Sequence, residues 1–253
     1  MSKSSRFLIA PVAAVLMALA CGPVGAAVLY DGALGTAPGA QGWISQGLGA
    51  PPSQSVASGT YRLDTTGTGV VTFGSGLVSA VPLDTTSGYD LSFSLQVSGE
   101  THSSANRAGF SVLAVGADPG KAIELAFWTG HVWAYDYDGG APDRFVHGTD
   151  AAFDTASALQ TYTLAVRQQQ FTLSSGGSTL LSGALRDYTA SGLPPYATPN
   201  LLFFGDDSSR GTSVTKLGFV SLSPVPEPAS AALWLAGLAV LGARDWRRAG
   251  LRV

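Results

Sequence analysis

Between residues 89 and 98 every second side chain is apolar. Tyr89, Leu91, Phe93, Leu95 and Val97 alternate with Asp90, Ser92, Ser94, Gln96 and Ser98. A period of two sends the two sets to opposite faces of an extended strand, and a helix cannot gather that pattern on one side. Tyr162, Leu164 and Val166 repeat it, and Phe171 and Leu173 resume it after a turn at Gln168-Gln169-Gln170. Further short candidates are Tyr61–Leu63, Val70–Phe73, Phe110–Val115, Ile123–Trp128, Val132–Tyr137, Leu201–Phe204 and Val214–Val220. Gly, Ser, Thr, Asp and Pro punctuate them, and no core stretch keeps helical periodicity for three turns. Many short strands with frequent turns predict an all-β fold, an antiparallel sandwich or barrel, and among these a jelly roll. Gly35 to Ser58, rich in Gly, Ala, Pro and Ser, reads as a loop around the outside. No internal repeat suggests a propeller or β-helix.

The two ends of the chain follow other rules. Lys3 and Arg6 precede an apolar run from Phe7 to Ala20, and Val24-Gly25-Ala26 supplies small residues for cleavage. That order is the one of a secretory signal peptide, here residues 1–27, implying the export translocon and signal peptidase. Ala18-Leu19-Ala20-Cys21 faintly resembles a lipoprotein box, but Ala18 stands where such boxes carry Leu. At the other end, Val225-Pro226-Glu227-Pro228 precedes an uncharged run from Ala229 to Ala243, followed by Arg244, Arg247, Arg248 and Arg252. Two prolines interrupt any helix and leave Glu227 in extended, accessible chain. The run can restart as a membrane helix with its arginines on the cytoplasmic side. Fifteen residues span roughly 22 Å, short of the ~30 Å hydrocarbon core, which suits a temporary anchor.

Pro226, Glu227 and Pro228, the Ala/Leu/Gly-rich run and the basic end resemble the PEP-CTERM sorting signal of Gram-negative bacteria. The resemblance covers about Val225 to Val253. It implies recognition by exosortase, a membrane-embedded sorting protease, and association with exopolysaccharide and biofilm matrix. The expected path is export, an intermediate anchored in the inner membrane by the C-terminal helix, then the envelope, outer surface or matrix. An ordinary tail anchor is the alternative. The expected organisation is therefore a signal peptide (1–27), one domain (28–222) and a sorting segment (223–253).

Between the two signals, eight Lys/Arg face fifteen Asp/Glu, a net charge of −7 against −3 for the whole chain. An acidic domain without a basic stripe argues against nucleic acid as a partner. The single cysteine, Cys21, lies in the signal segment, so the exported domain has no thiol for disulfides, metal or nucleophilic catalysis.

A second resemblance rests on the core. Leu29-Tyr30-Asp31-Gly32, Gln41-Gly42-Trp43, the stretch from His102 to Phe110, Ile123 to Trp128, Leu185-Arg186-Asp187-Tyr188 and Thr198 to Asp207 carry it. Together they are similar to the choice-of-anchor domains, most closely type Y, found on interchangeable surface-sorting tails. The resemblance implies a concanavalin A-like lectin/glucanase sandwich and supplies no catalytic residues.

Chemistry concentrates on three consecutive strand candidates. In Ile123–Trp128, Glu124, Ala126 and Trp128 share a face opposite Ile123, Leu125 and Phe127. Trp133, Tyr135 and Tyr137 alternate with Val132 and Ala134, and Arg107 and Ser111 fall on one phase of the preceding strand. If these strands are neighbours, one face carries Arg107, Ser111, Glu124, Trp128, Trp133 and Tyr135. Aromatics beside a carboxylate and a guanidinium can bind sugar: pyranose C–H faces pack on the rings and fixed polar groups bond the hydroxyls. The competing reading is a structural Glu124–Arg107 pair among packing aromatics.

Enzyme readings find less support. Glycoside hydrolysis needs two carboxylates about 5–10 Å apart. Laminarinase-like relatives of such a sandwich carry them on one strand, but Glu124 is followed by Leu125, Ala126, Phe127 and Trp128. A glycoside hydrolase or lyase would need an Asp from another strand. His102, His131 and His147 lack a Gly-x-Ser-x-Gly elbow and read as loop or surface residues. No His-x-x-x-His spacing supports zinc. Asp136, Asp138 and Asp143 around Gly139-Gly140, with Asp206 and Asp207, are oxygen ligands suited to Ca²⁺, and equally ordinary hairpin residues. The expectation is thus a non-catalytic surface or matrix module with no cofactor or at most calcium. It binds polysaccharide or acts as a purely structural adhesin, and a carbohydrate-active enzyme is the alternative.

Overall fold

The computed structural model describes residues 25–139 and 144–225. The strands, in chain order, are β1 (Ala27–Asp31), β2 (Ile44–Gly49), β3 (Ser53–Ala57), β4 (Thr60–Asp64), β5 (Val70–Val78), β6 (Tyr89–His102), β7 (Ser111–Val115) and β8 (Ala122–Phe127). They continue as β9 (His131–Tyr137), β10 (Phe145–Ala152), β11 (Gln160–Arg167), β12 (Gln170–Ser175), β13 (Ser178–Ala184), β14 (Leu201–Asp206) and β15 (Gly211–Pro224). Sheet 1 runs β13-β12-β11-β6-β15-β4-β3, with β1 also paired to β15, and sheet 2 runs β10-β9-β8-β7-β14-β5-β2. Every named strand pairing is antiparallel. The expected two-sheet sandwich is what the chain forms.

The alternation in β6 works as expected. Leu91, Phe93, Leu95 and Val97 are fully buried and join one core with Ile123, Leu125 and Phe127 from β8 and Val112 and Ala114 from β7. Phe93 stands edge-on to Phe127 and Phe204, at 6.2 and 5.3 Å between centroids, and stacks on Tyr162 at 5.4 Å. Such pairs add directional preference to simple area burial. Gln168 and Gln169 both take left-handed backbone conformations in the β11–β12 turn.

The stretch from Gly35 to Ser58 corrects the sequence reading. It contains a short 3₁₀ turn and two strands, β2 at the edge of sheet 2 and β3 at the edge of sheet 1. All six residues of β2 are exposed, so an apolar alternation was never required of it. Backbone pairing to β5 alone makes it a strand. Strands β10 and β13, also at sheet edges, escaped the sequence reading for the same reason.

Pairing closes the two ends of the domain together. Ala27 lies opposite Leu222, Pro224 opposite Tyr89, and the Val225 amide donates to the Gly88 carbonyl. The far end of β15, Gly211 opposite His102, is where the β14–β15 turn carries Asp206 and Asp207. Fourteen residues of strand, about 3.3 Å each, separate the two ends.

Candidate functional site

At β8, sheet 2 is covered on both faces. All six residues of β8 are buried, the inner three in the sandwich core and the outer three under the segment 185–200. That segment is bolted down by main chain: the Ala122 and Arg186 amides each donate to the other's carbonyl, at 2.8 and 2.7 Å. It then contributes the 3₁₀ turns Thr189–Ser191 and Pro194–Ala197, the second opened by prolines whose fixed φ suits its first positions. Tyr188 and Tyr196 point down from it and are buried against the sheet. The Tyr188 hydroxyl donates to the Tyr135 carbonyl at 2.7 Å and accepts from the Glu124 amide at 3.3 Å.

Beneath this cover lies a cavity of about 140 Å³ lined by Arg107, Glu124, Tyr135, Phe145, Tyr196 and Asp207, with Leu193 and Ser208 at its side. Glu124 is 1% exposed, and its Oε2 accepts the Tyr196 hydroxyl at 2.7 Å. The same hydroxyl lies 3.5 Å from Asp207 Oδ2, and Ser111 Oγ donates to Asp207 Oδ1 at 3.3 Å. Asp207 is held by a side-chain turn, in which the Ser208 amide donates to Asp206 Oδ1 and the Arg210 amide to Ser208 Oγ. Burial holds the Glu124 carboxyl well above the usual carboxylate range, and the adjoining Asp207 charge and hydrogen bond raise it further. Two touching carboxyls at a buried site resist ionising together, so loss of the Glu124 proton is disfavoured. Tyr135 and Tyr196 are likewise held protonated, first by burial and then by these acids. Tyr135 Oη is buried in this lining beside the Ala108 backbone and makes no well-formed hydrogen bond.

The structure brings Ser111, Glu124 and Tyr135 to one face, as their alternation predicts; Arg107 lies in the loop before β7 and not on a strand, reaching the cavity from there, and Tyr196 and Asp207 join from distant segments. The two tryptophans are placed differently from a sugar platform. Trp133 is fully buried, its ring stacked on His147 at 4.1 Å and 4°. Trp128 stacks on His102 at 4.2 Å and 7°, and its Nε1 donates to the Arg107 carbonyl. An imidazole therefore covers one face of each indole, and neither tryptophan lines the cavity. His102 and His147 are stacking partners and not simple surface residues. The geometry depends on contacts between separate loops, and no local pattern announces it.

Asp206, adjoining the site, is 1% exposed, with Oδ2 unpartnered. Burial pushes its carboxyl up to about 8, with Asp207 and Glu100 adding to the shift. Of the five acids expected for calcium, the four that are described do not assemble. Asp136 Oδ1 accepts from Arg186 Nε at 2.9 Å, and the Asp138 amide closes the hairpin to Arg144. Asp206 and Asp207 stand on β14 and its turn, with β7 and β8 between them and β9. Asp143 lies outside the described residues. Among the described residues no group of three or more His, Cys, Asp or Glu could hold a metal ion. Pro226, Glu227 and Pro228, the apolar run behind them, the signal segment and Cys21 also lie outside the described residues. No described helix is long and apolar enough to cross a membrane.

Among solved structures, the chain is similar to a conserved carbohydrate esterase of Shiga toxin-encoding bacteriophage phi24B. The TM-score is 0.54 and the identity 14%, over 80% of this chain and 100% of that one. It is also similar to a Bacillus subtilis protein of unknown function with a galectin-like fold, at 0.49 and 14%, over 78% and 96%. The exoplasmic/lumenal domain of VIP36 in its Ca²⁺-bound form gives 0.46 and 12%, over 79% and 90%. At such identities the likeness concerns the fold alone, an antiparallel β-sandwich. No curated protein matches the chain. Residues 224–248 match the PEP-CTERM protein-sorting motif, so the chain carries the mark of an exported protein processed at the membrane, a substrate of exosortase.

Proposed function

We propose that the protein is a cell-surface or biofilm-matrix module, sorted by exosortase, whose sandwich binds carbohydrate without cleaving it. Residues 28–222 form the working domain, of choice-of-anchor Y type. Residues 1–27 and 223–253 serve export and sorting, the latter through Pro226, Glu227, Pro228 and a transient membrane helix. The observation that carries the binding reading is a partly covered polar cavity in which the buried Tyr135 hydroxyl, without a well-formed hydrogen bond, stands beside Glu124, whose carboxyl burial holds well above its ordinary value. A buried hydroxyl left unpaired costs about 1–3 kcal/mol, and a ligand hydroxyl would repay it. Arg107, Tyr196 and Asp207 complete a mixed set of donors and acceptors around a space lined on one side by Phe145.

The Glu124–Asp207 contact also bears on the enzyme reading. It supplies the second acid that the sequence around Glu124 lacks, yet hydrogen-bonded carboxyls stand too close to flank a glycosidic bond and a water. Binding is therefore the better use of the pair. A glycan array on the exported protein, with and without chelator, tests the reading and any calcium dependence together. Tyr135→Phe should keep stability, because the lost hydroxyl makes no well-formed hydrogen bond, and should weaken glycan binding at least about tenfold. Unchanged binding would remove Tyr135 from the site. No saturable binding to any glycan would leave a purely structural adhesin. Release of oligosaccharides that stops in Glu124→Gln would make the protein an enzyme.

A further inference from the structure

The outer face of sheet 2 is covered only in part. Over β14, β5 and β2 an open cleft remains, in two lobes of about 490 and 340 Å³ that share Gln46, Gly74, Pro195 and Phe203. Each lobe falls in the range of about 300–1,000 Å³ in which small-molecule sites lie. The second lobe reaches Asp207 and Tyr196, which also line the cavity over Glu124. Cleft and cavity therefore adjoin, with Leu193, Tyr196 and Asp207 between them.

The construction of the cleft is specific. Gly76 of β5 leaves its part of the floor without a side chain, the Phe203 ring lies over Gly74, and Pro194 and Pro195 stand across from Ile44 and Gln46 of β2. Of eight exposed large hydrophobics among the described residues, Ile44, Leu48, Val78 and Leu193 line this cleft. Apolar residues scattered singly over a surface need no explanation, but half of them along one cleft do. The polar groups among them are Gln46, Thr72, Tyr196, Thr198, Asp206 and Asp207, and neither lobe is lined by Lys or Arg. Apolar surface with hydroxyl-bonding groups at its edges, and no cation, matches an uncharged polyhydroxylated chain better than a polyanion.

We infer that this cleft holds the body of a neutral oligosaccharide whose terminal unit enters the cavity over Glu124. The inference rests on the carbohydrate-binding reading and deepens it: the ligand is a chain end, and its uncharged units run along β5. A peptide laid along the open β2 edge is the competing occupant.

The glycine floor makes a test possible. A Cβ built on Gly76 meets only Leu201 Cδ1 at 3.6 Å and the Leu202 carbonyl at 3.8 Å, ordinary contacts, and its φ is not positive. Gly76→Phe should therefore fold and fill the cleft without touching the cavity. Gly74 is a poorer choice, because its Cβ would collide with the Phe203 ring. The exported protein and its Gly76→Phe and Gln46→Ala variants are titrated with neutral gluco-, manno- and xylo-oligosaccharides and with uronic acid oligosaccharides, each from monomer to about hexamer. Thermal melts check folding. Affinity for a neutral series should rise at least about tenfold from monomer to the longer chains, and Gly76→Phe should remove that gain while leaving the monomer bound. Gln46→Ala should lower it in part, and that arm stands if Gly76→Phe fails to fold.

Equal affinity for monomer and longer chains with silent cleft variants would overturn the cleft inference and leave the cavity reading intact. Preference for the uronic acid series would also overturn it. No binding of any sugar would overturn the reading beneath it, and so would a peptide pool that binds where sugars do not.

Discussion

The two outer faces of the sandwich are built on opposite plans. On sheet 1, Asp90, Ser92 and Gln96 of β6 point outward and are half-buried; Ser94 between them is buried, and Gln96 donates to the Ala156 carbonyl of the β10–β11 loop. On sheet 2, the outward Ala122, Glu124 and Ala126 of β8 are as buried as the inward Ile123, Leu125 and Phe127. The strands use the same backbone and the same period of two. What differs is the segment 185–200, which lies over sheet 2 and creates a second interior of Tyr, Trp, Phe and acidic side chains. An interior between two regular sheets can be purely apolar, because its strands satisfy their own backbone. A loop laid on a sheet must also bury polar groups, and those groups give sheet 2 a site that sheet 1 lacks.

The sharpest way to probe this contrast is to damage each layer in turn. Phe93→Ala, in the interior between the sheets, should cost about 3–5 kcal/mol in urea unfolding, through lost contacts with Phe127, Tyr162 and Phe204. A much smaller loss would mean that this interior is not the main source of stability.

Titration separates the layers next. Asp206 is pushed up to about 8 from 3.8. Its folded value lies above its unfolded one, so the folded state holds the proton longer and stability falls as pH rises from about 4 to about 8. Asp206→Asn should flatten that fall by an amount on the order of a few kcal/mol, read from melting curves across the range. Glu124→Gln should act in the same direction, since burial raises that carboxyl too. Curves that remain parallel to those of the unaltered protein would contradict the assigned protonation.

A smaller effect probes the cover alone. Tyr188→Phe removes the hydroxyl shared by the Glu124 amide and the Tyr135 carbonyl, at an expected cost of about 1–3 kcal/mol. Hydrogen exchange should show earlier opening of 185–200 while β6 keeps its protection. On the open face of sheet 1, Ser92→Ala loses only its contact with Thr163 and should change stability by about 0.5 kcal/mol or less in the same denaturation assay.

Particular residues mark what could be read in the chain. Leu91, Phe93 and Leu95 announce β6, and Tyr162, Leu164 and Val166 announce β11, because burial on one face forces alternation. Ile44 to Gly49 could not be recognised, because an exposed edge strand imposes no such pattern. Glu124 and Tyr135 fell on the right face by counting in twos. Asp207 and Tyr196, which complete the cavity, could not be joined to them, since they lie 83 and 72 residues from Glu124. Trp128 and Trp133 were placed on the correct face, but the imidazoles that stack on them come from the far end of β6 and from β10.

The sequence by itself determined the all-β class, the thiol-free acidic domain and the sorting motif after β15, since each is written in local composition or periodicity. Tertiary structure alone decided which strands carry a second layer, which acids touch, and where a cleft stays open. Those features arise when segments distant in the chain meet over a sheet, and neither desolvation nor a shared proton exists until they do.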